Sequence, residues 1–231
     1  LSQVFIELFK RTESYLLVPR GSPLEKTAQE KFADKTQSFD SALDSIDFMK
    51  SNEAAVVATA HAMGVDISSV DFSQFPGMER RQSVLFEDSD LTVVEDYAHH
   101  PAEIRAFVGD RRRKLPEHWL RMVFQPHRYS RLRDLFNDFC SCFNDADHVF
   151  LLDVYSAGEE PIQNFESTDL EIGLSKYGHK NVSYIKDKKT LIKTILKLAQ
   201  PNDLIICLGA GSITKIANKL EDDLYYECRN I

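Results

Sequence analysis

Residues 93–133 read VVEDYAHHPAEIRAFVGDRRRKLPEHWLRMVFQPHRYSRLR, and the order of apolar and polar residues there leaves few folds open. Two apolar runs, residues 91–95 and 120–125, each end in a polar burst. The first is followed by Asp96-Tyr97-Ala98-His99-His100-Pro101 and the second by Pro126-His127-Arg128-Tyr129-Ser130-Arg131. Between them a helical stretch over 102–115 starts behind Pro101, where a missing N–H costs nothing. The pattern predicts strand–loop–helix–strand–loop–helix, with ionisable side chains delivered at the carboxyl ends of both strands. In open α/β sheets that edge is where ligands bind. Nine Lys or Arg lie between Glu103 and Arg133 against three acids, in a chain whose formal charge is −8. A positive patch on an acidic protein points to a small anionic ligand and not to a nucleic-acid surface.

The alternation continues on both sides. Residues 83–86 and 91–95 form a hairpin through Glu87-Asp88-Ser89-Asp90, and strands over 120–125, 148–154, 182–185 and 203–208 alternate with helices over 130–143, 168–177 and 189–198. Gly209-Ala210-Gly211 opens a last helix to about residue 220, and residues 225–228 read as an edge strand. This spacing predicts the α/β class, a mostly parallel, helix-covered sheet with right-handed crossovers. The 231 residues, 43% of them hydrophobic, can bury a core in one large domain or two small ones. No run of about 18 apolar residues is present, so no membrane span is expected. The start, LSQVFIELFKRTESY, lacks the basic and apolar regions of a secretory signal. Cys140, Cys142, Cys207 and Cys228 form no CxxC pair and read as reduced structural thiols of a cytoplasmic protein.

The first 75 residues follow a different pattern. Residues 4–9 read as a short helix with nothing before it and 15–18 as a short strand, an opening in mid-pattern that suggests a piece of something longer. Leu17-Val18-Pro19-Arg20-Gly21-Ser22 matches a thrombin-cleavable linker, either as a scar or by coincidence. Residues 23–41 are polar and are expected to be weakly structured or mobile. Residues 48–63, rich in alanine, predict a closely packed helix that Gly64 stops. A short helical turn over 67–75 follows, and Pro76-Gly77 marks a boundary.

Two groups carry the chemistry. Asp96-Tyr97-Ala98-His99-His100 sets an acid, a phenol and two imidazoles at a strand end, either as a capped exposed loop or as a pocket in which Asp96 accepts from sugar hydroxyls. No zinc site is expected, because adjacent histidines diverge and no third ligand stands at metal spacing. Arg128 and Arg131, three apart at a helix start, can reach one side of the same opening, and guanidinium forks match carboxylate and phosphate geometry. Gly209-Ala210-Gly211-Ser212 either cradles a phosphate or is simply a tight turn, and no Gly-x-x-x-x-Gly-Lys-Ser/Thr loop occurs. Asp153-Val154-Tyr155 with Gly158-Glu159-Glu160 is either a second polar wall or an exposed loop.

Taken in order, Glu95-Asp96-Tyr97-Ala98-His99-His100-Pro101, Phe124-Gln125-Pro126-His127-Arg128-Tyr129-Ser130-Arg131, Asp153-Val154-Tyr155-Ser156-Ala157-Gly158-Glu159 and Gly209-Ala210-Gly211 resemble the Mur ligases. The resemblance implies a Rossmann-like carboxyl-terminal domain over 76–231, preceded over 1–75 by the end, a remnant, of the central ATPase domain. It implies an ATP- and Mg2+-dependent carboxylate–amine ligase of peptidoglycan precursor synthesis. Such enzymes phosphorylate a carboxylate and let an amine attack the acyl phosphate. The likeness is greatest to the branch that joins L-alanine to UDP-N-acetylmuramate, which makes those two the implied substrates. By position, Asp96 resembles the acid that contacts ribose, Arg81 the arginine that reaches ATP phosphates, and Asn52 an amide that contacts adenine. Tyr97, His99, His127, Arg128 and Arg131 resemble the residues around the amino acid and the muramyl carboxylate, and Arg128, Arg131, His127 and His99 are the candidate catalytic residues.

The departures point the other way. The family's amino-terminal UDP-binding domain and its Gly-Lys-Thr phosphate loop are absent. Asp47-Phe48-Met49-Lys50 stands where the family has Gly-x-His-Asn. The chain is therefore expected to be inactive in isolation. The alternatives are a non-catalytic nucleotide or amino-acid binding module on the same fold, or an unrelated Rossmann-type binding domain.

Overall fold

The computed structural model describes residues 2–41, 48–75 and 78–228. The chain divides into two compact units, Leu1–Gly77 and Met78–Ile231. The expected Pro76-Gly77 boundary itself lies outside the described residues, as does Asp47.

The first unit contains α1 (Ser2–Arg11), β1 (Leu16–Pro19), α2 (Pro23–Phe32), a 3₁₀ turn (Ala33–Lys35), β2 (Thr36–Phe39) and α3 (Phe48–Met63). β1 and β2 pair in parallel, with α2 as the crossover. Phe9, Leu16, Val18 and Ala28 form its core. The linker-like stretch is therefore built into the fold. Leu16 and Val18 point inward, and the Ser22 hydroxyl accepts from Glu25 N at 3.3 Å to cap α2 behind Pro23. Residues 23–41, expected to be weakly structured, form a helix, a turn and a strand. Each piece is too short, and buries too few apolar side chains, to leave a periodicity that a sequence window can detect. α3 has the expected span and ends in a Schellman motif, with Gly64 at φ 67° and Val65 N donating to Ala60 O at 2.9 Å. The close packing expected of α3 is not found, because Ala60 is its one buried residue among those described. Over 67–75 the helical turn is a 3₁₀ turn, Phe72–Gln74, capped by Asp71.

The second unit holds β3 (Ser83–Glu87), β4 (Leu91–Asp96), α4 (Pro101–Lys114), β5 (Trp119–Phe124), α5 (Tyr129–Asp134), α6 (Phe136–Phe139), β6 (His148–Leu151), α7 (Ser167–Lys176), β7 (Val182–Tyr184), α8 (Lys188–Leu198), β8 (Asp203–Leu208) and α9 (Thr214–Cys228). The six strands lie in the order β3-β4-β8-β5-β6-β7, all parallel except β3, which closes the hairpin with β4. Side chains alternate between two cores. Leu204, Ile206 and Leu208 join Met122, Phe124, Ile104 and Phe143 on one face. Ile205 and Cys207 join Val123, Phe150, Ile195 and Leu220 on the other. Every residue of β8 is buried, as its central place requires.

Two expectations are corrected. The helix over 130–143 is broken at Leu135 (φ −118°, ψ 22°) into α5 and α6, followed by turns. No Gly or Pro announces the break. It lies where α7 packs so closely that a Cβ on Gly173 would stand 2.4 Å from Cys140 Sγ. Residues 225–228 continue α9 and form no strand, because Ile213, Ile216, Leu220 and Leu224 extend one buried helical stripe. The described cysteines Cys140, Cys142 and Cys207 are unpaired and buried, and burial pushes the Cys140 thiol up to about 11.

Candidate active site

Because β8 lies between β4 and β5, the two polar bursts flank the glycine turn that follows β8, all at the carboxyl edge of the sheet. The parallel ladder continues past β5 as a bridge between His127 and Tyr155, with Tyr155 N donating to Pro126 O and Arg128 N to Tyr155 O, each at 2.8 Å. A row of rings results. Tyr97 and His99 are 5.3 Å apart, His99 and His127 6.1 Å, and His127 stacks on Tyr155 at 5.3 Å with 15° between planes. The guanidiniums of Arg80 and Arg81 sit over Tyr97 at 4.9 and 5.3 Å. Tyr97, His99, His127 and Arg131, picked out in the sequence, thus share one rim.

The two imidazoles differ in where they hold the proton. His127 Nδ1 accepts from Arg131 Nη1 at 3.2 Å, and the same nitrogen of Arg131 donates to His127 O at 3.1 Å. An arginine can only donate, so the His127 proton sits on Nε2. Burial, then Arg131, His99 and Arg128, holds the His127 pKa below its ordinary value and keeps the ring neutral. His99 Nδ1 lies 3.0 Å from Tyr97 O, an acceptor, so that nitrogen carries the proton and Nε2 is left as the basic atom. His100 is not part of the rim. It caps α4, with Nδ1 accepting from Ala102 N at 3.2 Å.

Arg128 is exposed and has no side-chain hydrogen bond among the described residues. Its backbone, at φ 72° and ψ 130°, lies in a region that side chains other than glycine rarely enter. Tyr155 O holds its N–H on one side. On the other, Glu159 takes Ser130 N at 2.9 Å and Ser130 Oγ at 2.6 Å. Those two bonds, assisted by the charge of Arg128, keep the Glu159 carboxyl below its ordinary range. The loop carrying Glu159 is thus not an idle loop, because it braces the start of α5. Asp153 accepts from the Tyr184 phenol, whose pKa is pushed up to about 12, and lines a hollow of about 460 Å3 with Tyr129, Glu166 and Lys186.

One expectation changes. The nine basic residues of 103–133 do not form one patch. Arg105 donates to Ser141, Arg111 to Gln82, Arg112 to Asp147, and Arg133 to Asp134. Arg113 and Lys114 pair with Asp110, and Arg121 is buried against Asp203. Arg128 and Arg131 are left at the rim. Asp96 is 1% exposed, with Oδ2 accepting from Gln82 N at 2.9 Å and Oδ1 from Ala98 N at 2.7 Å. Burial raises its pKa against the pull of those N–H groups and of Arg81. In this structure Asp96 accepts from two backbone amides. Asn52 is exposed on α3 of the first unit, beside Lys50 and Glu53, which line a cavity of about 700 Å3 with Phe39, Asp40 and His61.

The sequence reading passed over Arg80 and Glu95. Their one signal was a glutamate inside a strand otherwise buried, which demands a cationic partner. Among the described residues no group of three His, Cys, Asp or Glu converges to hold a metal ion.

The profile of the family described as Mur ligase, glutamate ligase domain, matches residues 78–211. This chain belongs to the Mur ligase family. Among its curated relatives are the UDP-N-acetylmuramate–L-alanine ligases of Paramagnetospirillum magneticum, 42% identical, and Rhodospirillum rubrum, 43% identical, each over 175 residues. The matches cover 75% of this chain but only 37% and 36% of those proteins, so the chain spans well under half of their length. Among solved structures, UDP-N-acetylmuramate–alanine ligase MurC of Thermotoga maritima superposes with a TM-score of 0.62 at 26% identity, over 76% of this chain and 37% of that one. The Thermotoga maritima MurF ligase, solved in complex with ADP, shares the fold, with a TM-score of 0.66 at 12% identity over 97% of this chain and 57% of that one. No helix among the described residues is long and apolar enough to cross a membrane.

Proposed function

We propose that this sequence supplies the carboxyl-terminal part of a cytoplasmic, ATP-dependent ligase that joins L-alanine to UDP-N-acetylmuramate in peptidoglycan precursor synthesis. The observation that carries the reading is the convergence of Tyr97, His99, His127 and Arg131 on one rim, with the Arg128 guanidinium exposed beside it. Amide formation from an activated carboxylate needs negative charge held in place while a neutral amine is set alongside. Arg128 and Arg131 serve the first need, as forks for a carboxylate or phosphate. Arg81, which lies over Tyr97 and in the field of Asp96, is the candidate contact for ATP phosphates.

His99 Nε2 serves the second need, by taking a proton from the incoming ammonium or amine. His127, its pKa lowered by burial and then by Arg131, offers its Nε2–H as a donor. ATP supplies the phosphoryl group that activates the carboxylate, and Asn52 is the candidate adenine contact on the first unit. Neither unit by itself is expected to turn over substrate.

The test is phosphate release by the product of the complete reading frame that encodes this sequence, dependent on ATP, UDP-N-acetylmuramate and L-alanine together. Turnover that disappears when L-alanine is withheld supports the reading. Calorimetric binding of L-alanine or ATP with no turnover in that product would replace it with a non-catalytic binding module.

A further inference from the structure

Arg80 belongs to none of the motifs that mark the rim, yet its guanidinium ties the end of β4 to the turn that follows β8. Nε donates to Glu95 Oε1 at 2.8 Å, and Nη2 donates to Gly209 O at 2.8 Å and Gly211 O at 3.4 Å. The same group lies over the Tyr97 ring, while the Arg80 carbonyl accepts from Tyr97 N at 2.7 Å. Its backbone is held at φ 60°, a conformation that costs energy outside glycine. The Glu95 side chain is 4% exposed and also accepts from Thr214, the first residue of α9. The charge of Arg80 is thus met inside the fold, which leaves it unsuited to hold a ligand anion and suited to hold geometry.

The far end of the ring row depends on the same group. Gly209 and Gly211 are the residues whose carbonyls Arg80 fixes. A Cβ on Gly211 would stand 2.6 Å from the Tyr155 ring, and one on Gly209 2.9 Å from Gln125 O. The turn is therefore seated directly on Tyr155, against which His127 stacks. Arg80 holds Tyr97 by stacking and Tyr155 through the turn, and His99 and His127 lie between those two rings.

We propose that Arg80 is a positioning residue that sets the span from Tyr97 to Tyr155 and so the separation of His99 and His127. Its role in turnover rests on the amide-forming reading above, whereas its role in geometry does not. A lysine keeps the charge opposite Glu95 but cannot bridge a carboxylate and two carbonyls while lying flat on a ring.

The experiment pairs amide hydrogen exchange on this chain carrying Arg80→Lys with turnover of the complete reading-frame product carrying the same change. Exchange is expected to quicken at least about tenfold at the Tyr97, Gly209 and Arg128 amides while the rest of the second unit keeps its protection. Turnover is expected to fall at least about tenfold in kcat with KM for the amine within about threefold. Exchange that quickens evenly over the unit would overturn the proposal and make Arg80 a stability element only. Local loosening with undiminished turnover would uphold the positioning role and remove the rim from the reaction. Should Arg80→Lys fail to fold, Arg80→Gln paired with Glu95→Gln, which strands no buried charge, is read by the same two criteria.

Discussion

At the amino edge of the six-stranded sheet, the Arg121 side chain is 5% exposed and meets Asp203, 0% exposed, at 2.6 Å, with a second bond to Leu198 O. At the carboxyl edge, Arg128 is exposed on a strained backbone with no side-chain hydrogen bond among the described residues, and Arg131 reaches only a histidine. The same residue type on the same sheet thus has its charge matched at one edge and left over at the other. A matched charge contributes to holding strands in place. An exposed one, kept in a costly conformation by Tyr155 and Glu159, contributes little to stability, in keeping with the anion-binding role proposed for it.

The comparison breaks most easily at the carboxyl edge. Replacing Arg128 and Arg131 together by alanine should abolish most turnover of the complete product, since each charge-assisted contact contributes about 1.5–3 kcal/mol. The same pair of changes should leave the unfolding free energy of the chain within about 1 kcal/mol in a denaturant titration. A large loss of stability would mean that the carboxyl edge is matched after all.

Next in size, Arg121→Ala should cost on the order of 3–5 kcal/mol of stability, because it strands Asp203 in the sheet. Arg121→Met with Asp203→Leu should recover most of that loss. Failure of the double variant to recover would show the pair to be more than a compensated charge. Arg128→Gly sharpens the contrast. Relief of the positive φ should stabilise the chain by about 1 kcal/mol while turnover is lost, a divergence that a purely structural arginine would not produce.

A pH dependence is expected at the amino edge as well. Burial, then Arg121 and His179, pushes the His148 imidazole down to about 4 from an ordinary 6.5. A base whose folded pKa is depressed contributes stability fully present above its unfolded value and lost as pH falls toward the folded one. Unfolding midpoints should therefore decline between pH 6.5 and about 4, and His148→Gln should flatten that decline. NMR titration of the ring near 6.5 would contradict the account.

Much of this was readable before any coordinates. The strands 120–125 and 203–208 and the helix behind Pro101 show long periodic signals, and the structure has β5, β8 and α4 where they predict. The acid–phenol–imidazole burst and the Arg128–Arg131 pair were likewise visible as unusual residues at strand ends. Residues 23–41 were misjudged because four-residue strands and a helix burying one alanine carry almost no pattern. The continuation of α9 through Tyr225 was missed because β-prone residues there outweighed the stripe of Leu220 and Leu224.

By itself the sequence determined the α/β alternation, the edge on which chemistry would gather and the residue types gathered there, because periodicity and strand-end polarity are local properties. Only the tertiary structure decided which of nine basic residues stay unpaired, that Asp96 turns to backbone amides, and that Arg80 joins Glu95 to the glycine turn. Those outcomes depend on β8 entering between β4 and β5. Those pairings join segments 112 and 84 residues apart, and no local preference encodes them.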